Sequence, residues 1–152
     1  MLMNTKNICA SLILSAMALN GGTAIAHDNA HLDTQVAPNN GQLRAAGIYH
    51  LELVLNKDSK ETKDNLVLVY VTDHAGNKIP TKGAIGSATI LTGKLKSTAV
   101  LLPDGDNRLK ASAKYAATPD LKVVVSLTMA GKSPEQALFT PFAIKTGRAE
   151  KR

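Results

Sequence analysis

Hydrophobic and polar positions alternate along most of the chain after Gly47. The stretch GIYHLELVLN, residues 47–56, places four apolar side chains on one face: Tyr49, Leu51, Leu53 and Leu55. The other face carries Ile48, His50, Glu52 and Val54. A period of two is typical of a β-strand with one buried face. The pattern therefore predicts a strand over this stretch.

Similar short segments follow, separated by Gly, Pro, Asn and Asp: NLVLVYVTDH, GSATILTGK, KSTAVLLPDG, DNRLKASAKY, LKVVVSLTMAG and ALFTPFAI. In DNRLKASAKY the alternation predicts that Leu109, Ala111, Ala113 and Tyr115 point inward. Pro141 in the last segment predicts an edge strand. None of these segments has a helical period. The chain is therefore predicted to be all-β, an Ig-like antiparallel β-sandwich of about seven strands.

The N-terminus has the three parts of a signal peptide. Lys6 is followed by the apolar run ICASLILSAMAL and then by a small-x-small motif at Ala24 and Ala26. The apolar run is shorter than the about 20 residues that span a bilayer. We therefore predict cleavage between Ala26 and His27 and export to the periplasm, with no stable membrane insertion.

Composition divides the rest of the chain into three parts. Residues 27–46 are polar and contain Pro38-Asn39-Asn40-Gly41, which predicts a flexible N-terminal arm. Residues 47–144 are predicted to form the β-sandwich domain, and residues 145–152, rich in Lys and Arg, are predicted to be a disordered basic tail. With the signal peptide at residues 1–26, the mature protein is predicted to be a single domain.

Amino-acid usage narrows the chemistry. The single Cys9 lies in the predicted signal peptide, and Met129 is the one methionine after it, so the mature chain has neither a disulfide nor a thioether cluster for Cu(I). Imidazole, carboxylate and a free amine remain, which suit Cu(II), Zn(II) or Ni(II). The net charge of +6 comes from scattered lysines with few aromatics between them, which does not indicate nucleic-acid binding.

The four histidines are predicted to converge at one end of the sandwich. His50 is near the start of one strand and His74 at the end of the next, and these two positions are neighbours if the strands form an antiparallel hairpin. The arm with His27 and His31 enters at the same edge. Cleavage would leave His27 with a free amine that can chelate a metal ion together with its imidazole.

A divalent-metal site is therefore predicted at His27, His50 and His74, with His31 and Asp28 as further candidates. Copper is the first choice, ahead of Zn(II) and Ni(II). Metal affinity is expected to fall as the pH drops through the imidazole range, because the ligands must lose their protons. The same histidines also fit a solvated strand face at His50 and a local turn at His74.

The segment HDNAHLDTQVAPNNGQL resembles the start of the CopC-like periplasmic copper-binding proteins, which are small β-sandwiches. That resemblance implies Cu(II) chelation by His27. It does not extend to the later Asp-x-His pair of that family, because this chain has no histidine after His74.

A longer resemblance is carried by GIYHLELVL, VLVYVTDHAGNKIPTKGAIGSATILTGK, LLPDGDNRLKA and LKVVVSLTMAGKSPEQALFTPF. These stretches resemble small exported bacterial proteins of uncharacterised function that accompany heavy-metal efflux and copper-resistance systems. That resemblance implies a metal-linked periplasmic role and a component of an efflux system as a partner.

An enzyme is not indicated. The sequence has no G-x-S-x-G, H-E-x-x-H or P-loop motif. Two functions remain. The first is a periplasmic accessory protein that binds a divalent metal, copper before others, in metal resistance or trafficking. The alternative is a β-sandwich interaction module that binds an envelope protein without metal.

Overall fold

The computed structural model describes residues 25–145, with side chains from residue 29 onward. The predicted signal peptide up to residue 24, the side chains of His27 and Asp28, and the tail after residue 145 lie outside this description. The elements are α1 Ile25–Leu32, β1 Gln42–Ala46, β2 Tyr49–Leu55, β3 Lys63–Thr72, β4 Ile85–Thr92, β5 Leu95–Pro103, β6 Arg108–Tyr115, β7 Lys122–Thr128 and β8 Glu135–Phe139.

All eight strands belong to one antiparallel sheet with the order β1-β2-β3-β6-β5-β4-β7-β8. The sheet has two halves that meet where Leu102 and Pro103 of β5 pair with Lys110 and Leu109 of β6. At the opposite side β1 and β8 contact each other, so the sheet curls into a nearly closed barrel. The two layers are therefore halves of one sheet, and the predicted all-β, antiparallel class is confirmed.

The core is formed by the inward faces of both halves. The alternation predicted for β2 and β6 is confirmed, since these side chains are buried: Tyr49, Leu51, Leu53, Leu55, Leu109, Ala111, Ala113 and Tyr115. Phe139 of β8 and Leu121, just before β7, complete the packing from the other half. The outer face of β2 thereby carries His50 and Glu52.

Strand β1 lies within residues 27–46, the stretch predicted to be an arm. Its residues pair in register with β2, from Gln42 opposite Leu53 to Ala46 opposite Tyr49. Leu32, at the end of α1, is also buried, with 2% of its surface exposed. The domain therefore extends further toward the N-terminus than residue 47.

None of the helical segments within residues 25–145 has the length and apolar composition of a membrane-spanning helix.

A polar network closes the loop between β2 and β3 at the end of the sheet away from His50. The Tyr115 hydroxyl donates to the Leu66 carbonyl at 2.8 Å and accepts from the Asn56 N–H at 2.9 Å. The Asn65 amide donates to the Ser59 hydroxyl at 2.6 Å and to the Tyr115 carbonyl at 3.0 Å. These bonds satisfy polar groups that the fold buries.

Candidate functional site

The structure brings His50 and His74 together. His50 in β2 is directly opposite Thr72 in β3, and His74 follows Thr72 by two residues. The two imidazole rings stack with their centroids 4.5 Å apart and their planes inclined by 29°. The hairpin that the alternation predicts therefore places both side chains at one end of the sheet and on the same side of it.

Two rows of residues cross the outer face of the sheet beside this pair. Residues directly opposite each other on neighbouring strands share a face. One row consists of Ala45, His50, Thr72 and Lys78, the last through a single bridge to Thr72. The next row consists of Leu43, Glu52, Tyr70 and Arg108. These two rows form a floor beside the histidine pair. The floor also carries Lys78, the Thr72 hydroxyl and the Glu52 carboxylate.

The loop before β1 forms one wall above this floor, and Glu52 holds it there. The Glu52 side chain accepts hydrogen bonds from the Asn39 N–H at 2.8 Å, the Asn39 side-chain amide at 2.9 Å and the Gly41 N–H at 2.9 Å. Glu52 itself is only 3% exposed. The loop lies so close to β2 that a Cβ atom at position 41 would fall against the Leu53 carbonyl. Glycine is therefore required there.

Floor and wall enclose a pocket of about 500 Å³. Its lining includes Asn39, His50, Glu52, Thr72, His74 and Lys78. Both histidines, the clamped carboxylate and the lysine thus share a single cavity, which is of a size that takes small ligands.

The orientation of His74 is set by a backbone carbonyl. Its Nε2 atom lies 3.4 Å from the Gly47 oxygen, a long contact in which the ring N–H faces the acceptor. Gly47 has a φ of 58°, and a Cβ atom at this position would fall against the Glu135 carboxylate. With Nε2 as the donor, Nδ1 of His74 carries the lone pair. Histidines that bind metals commonly have this kind of carbonyl partner on the second nitrogen.

His31 does not line the pocket but contacts Gln35, a side chain that does. It is exposed at the end of α1, and its Nε2 atom is 2.9 Å from the Gln35 amide nitrogen. Gln35 in turn lines the pocket. Since an amide nitrogen can only donate, His31 accepts through Nε2 in this contact.

Helix α1 is tied to the row of His50. The Asn29 side-chain oxygen accepts a hydrogen bond from the Ala45 N–H at 3.0 Å, and Ala45 is directly opposite His50. His27 and Asp28 immediately precede Asn29 in α1. The helix also includes the peptide bond between Ala26 and His27, where cleavage is predicted. The hydrogen bond therefore fixes α1 to β1 two residues after His27, while the side chain of His27 lies outside the described part.

The nearby aspartates of the described chain have structural partners. Asp73 accepts from the Ala75 N–H, the Asn77 N–H and the Asn77 amide, each at 2.8 Å. These bonds lower the pKa of Asp73, the side chain of Asn77 contributing most. Asp33 forms an ion pair with Arg44 at 2.7 Å. Asp73 thus shapes the turn that carries His74, and Asp33 ties the loop after α1 to β1.

Among residues with described side chains, no group of three or more His, Cys, Asp or Glu is placed to hold a metal ion. His50 and His74 provide two donors, and a site with three protein donors needs one more from outside the described side chains. The stacked rings direct their in-plane lone pairs side by side rather than toward one point. Binding one ion through both rings therefore requires one imidazole to rotate.

The alternation of the sequence did not identify Glu52 as a loop clamp or Lys78 as a pocket residue. Glu52 shares the polar face of β2 with His50, which is the one signal the sequence offers for it. Lys78 follows a turn and reaches the floor through an isolated bridge, for which the sequence gives no pattern.

No family model, no curated protein and no solved structure matches this chain.

Proposed function

We propose that the mature protein binds a divalent transition metal ion, copper before zinc or nickel, as a periplasmic accessory to metal resistance or trafficking. The observation that carries the proposal is the contact between His50 and His74, whose rings lie 4.5 Å apart at the pocket. Imidazole is the commonest protein ligand for such metals. The periplasmic location rests on the predicted signal peptide.

The third donor in this proposal is His27. The hydrogen bond from Ala45 to Asn29 holds the chain two residues beyond His27 beside the row of His50. After cleavage at residue 26, the amine and imidazole of His27 would supply two nitrogen donors in addition to those of the pair. Four nitrogens in one plane are a donor set that Cu(II) favours. Asp28 is the neighbouring carboxylate that would orient a ligand or fill a remaining position.

The proposed site is tested by calorimetric titration of the chain beginning at His27 with Cu(II). His50→Ala and His74→Ala are each expected to weaken binding at least about tenfold, because changes even to groups behind metal ligands cost that much. His31→Ala serves as the matched control and is expected to change the affinity less than about threefold, since its Nε2 is held by Gln35.

Equal affinity in the wild type, His50→Ala and His74→Ala would show that the pair is not the site. Urea unfolding of each variant distinguishes a lost ligand from a lost fold. His50 is half-buried on the outer face of β2 and His74 is exposed in the turn after β3, both outside the hydrophobic core, so the variants are expected to fold like the parent.

A second candidate, an interaction module without metal, is favoured by an apolar strip on the other half of the sheet. Ile85, Val100 and Leu102 alternate outward on β4 and β5 and are exposed by 67%, 63% and 58%. Exposed apolar surface of this kind is used for protein contacts when it is contiguous. This strip lies away from the histidine pocket, so partner binding there would be unaffected by His50→Ala.

A further inference from the structure

We infer that a small monocarboxylate with an apolar chain binds in a cavity at the seam between β1 and β8, where Arg44 holds its carboxylate. The lining of this seam cavity includes Asp33, Arg44, Thr140, Ile144 and Lys145. The inference is independent of the proposed metal site, because neither His50 nor His74 lines this cavity. Three features carry it: the space at the seam, the donors of Arg44, and the charge and apolar surface around them.

The seam cavity exists because no ladder closes the sheet there. Among the described strands, β1 and β8 stand at the two ends of the order and contact each other without being hydrogen-bonded neighbours. A side chain stands in for a strand partner, since the Gln42 side-chain oxygen accepts the Thr140 N–H at 2.8 Å. The space beside this contact measures about 230 Å³. At about 30 Å³ for each water-sized group, it has room for about eight non-hydrogen atoms.

Arg44 brings unused hydrogen-bond donors to this cavity. The residue is only 9% exposed, so its guanidinium group is largely withdrawn from solvent. Its Nη1 atom donates to the Asp33 carboxylate and to the Leu43 carbonyl, each at 2.7 Å. Nε and Nη2 carry three further N–H groups, for which the described residues provide no acceptor. These two atoms form one edge of the guanidinium group, and such an edge binds a carboxylate through two parallel hydrogen bonds.

The charge around Asp33 favours an anion. Two cationic groups converge on this residue: the Arg44 guanidinium on its carboxylate at 2.7 Å and the Lys145 ammonium on its carbonyl oxygen at 3.5 Å. Asp33 is the one carboxylate among the lining residues of the cavity. Two positive charges therefore face one negative charge, and a ligand with a single negative charge balances them.

The apolar part of the lining indicates what the ligand carries besides its carboxylate. Leu32, Pro141 and Ile144 belong to the lining, and Ile144 is 76% exposed. An alkyl chain placed against Ile144 removes apolar surface of both partners from water, which stabilises the complex in proportion to the area covered. Hexanoate therefore matches the volume, the charge and the apolar surface of the seam cavity.

Amide NMR titration of the isotope-labelled protein with hexanoate, in the presence of a metal chelator, tests the inference. The N–H signals of Gly41 and Ala143, which line the cavity, are expected to shift and to saturate. Hexan-1-ol has the same chain without the charge and is expected to bind at least about tenfold more weakly. Arg44→Lys keeps the positive charge but lacks the two-donor edge, and it is expected to weaken hexanoate binding about tenfold.

Exposed positions supply variants that leave the core untouched. Lys145→Gln is expected to weaken hexanoate binding about threefold, since a charge pair in contact with solvent contributes modestly. Lys110→Gln, on the outer face of β6, is its matched control and is expected to change nothing. Ile144→Ser is expected to weaken hexanoate binding about threefold through lost apolar contact. Ile85→Ser, at an isoleucine that is 67% exposed on β4, is the control for that change.

Several results would overturn the inference. One is hexan-1-ol binding as tightly as hexanoate, and another is unchanged affinity in an Arg44→Lys protein whose fold is verified by urea unfolding. If Arg44→Lys does not fold, unchanged affinity in both Lys145→Gln and Ile144→Ser would overturn it instead. Shifts confined to the histidine pocket, for example at Gly76, would place hexanoate elsewhere and also contradict it. None of these results bears on copper binding, so the proposed metal site is tested separately.

Discussion

Replacing Glu52 with alanine is expected to lower the free energy of unfolding by about 3 kcal/mol, because three N–H donors lose a charged acceptor. These donors are the backbone N–H groups of Asn39 and Gly41 and the Asn39 side-chain amide. The carboxylate is 3% exposed, so water cannot simply take its place. The loop that walls the histidine pocket is expected to detach from β2.

Urea unfolding followed by circular dichroism measures this change. Glu52→Gln keeps one acceptor oxygen and is expected to cost about half as much. Glu61→Ala, at an exposed glutamate in the loop before β3, is the matched control and is expected to fall within about 0.5 kcal/mol of the parent. A Glu52→Ala protein as stable as the Glu61→Ala protein would refute the clamp.

Replacing Tyr115 with phenylalanine is expected to lower the free energy of unfolding by about 2 kcal/mol, because the hydroxyl bridges two backbone groups. Without it, the Asn56 N–H loses its acceptor and the Leu66 carbonyl loses its donor. Tyr115 is fully buried, so the ring itself stays in the core and only the polar contacts are lost.

Thermal and urea unfolding test this second change, with Tyr49→Phe as the matched control. Tyr49 is a buried tyrosine of β2 that lies at the other end of the sheet, and its replacement is expected to cost less than about 1 kcal/mol. Burial raises the pKa of Tyr115 above its ordinary value of 10.0. Because the fold disfavours the ionised form, the Tyr115 hydroxyl contributes its full stabilisation below about pH 10.0, the ordinary pKa of tyrosine. This contribution is lost as the pH rises above that value, since the unfolded chain can then ionise more readily than the folded one. The difference between the parent and Tyr115→Phe should therefore shrink in strongly alkaline buffer, and a difference that grows there would contradict this role.

The alternation of the sequence accounts for most of the fold because it reports directly which face of a strand is buried. It located β2 through β8 and the inward side chains of β2 and β6. It missed β1, since QLRAA is short and places Arg44 among the buried positions, where Asp33 pairs with it. That ion pair joins residues that are distant in the alternation pattern, and no local period reveals it.

The meeting of His50 and His74 was predictable for a similar reason, since an antiparallel hairpin fixes which residues are neighbours. The roles of the nearby carboxylates could not be predicted from the sequence. Glu52 binds a loop that returns over the sheet, and Asp73 is taken up by its own turn. Both assignments depend on where backbone N–H groups point, which residue types alone do not specify.

The most direct test of the proposed metal site is electron paramagnetic resonance of the mature protein during titration with Cu(II). The N-terminus should first be confirmed as His27 by mass spectrometry, and the control should carry one extra residue ahead of His27. We expect a tight signal from one copper ion per chain with several nitrogen donors, weakened in the control. Equal binding by the control would remove the free amine of His27 from the site and leave the imidazoles as its nitrogen donors. Copper binding no tighter than that of a nonspecific protein surface would contradict the metal site altogether.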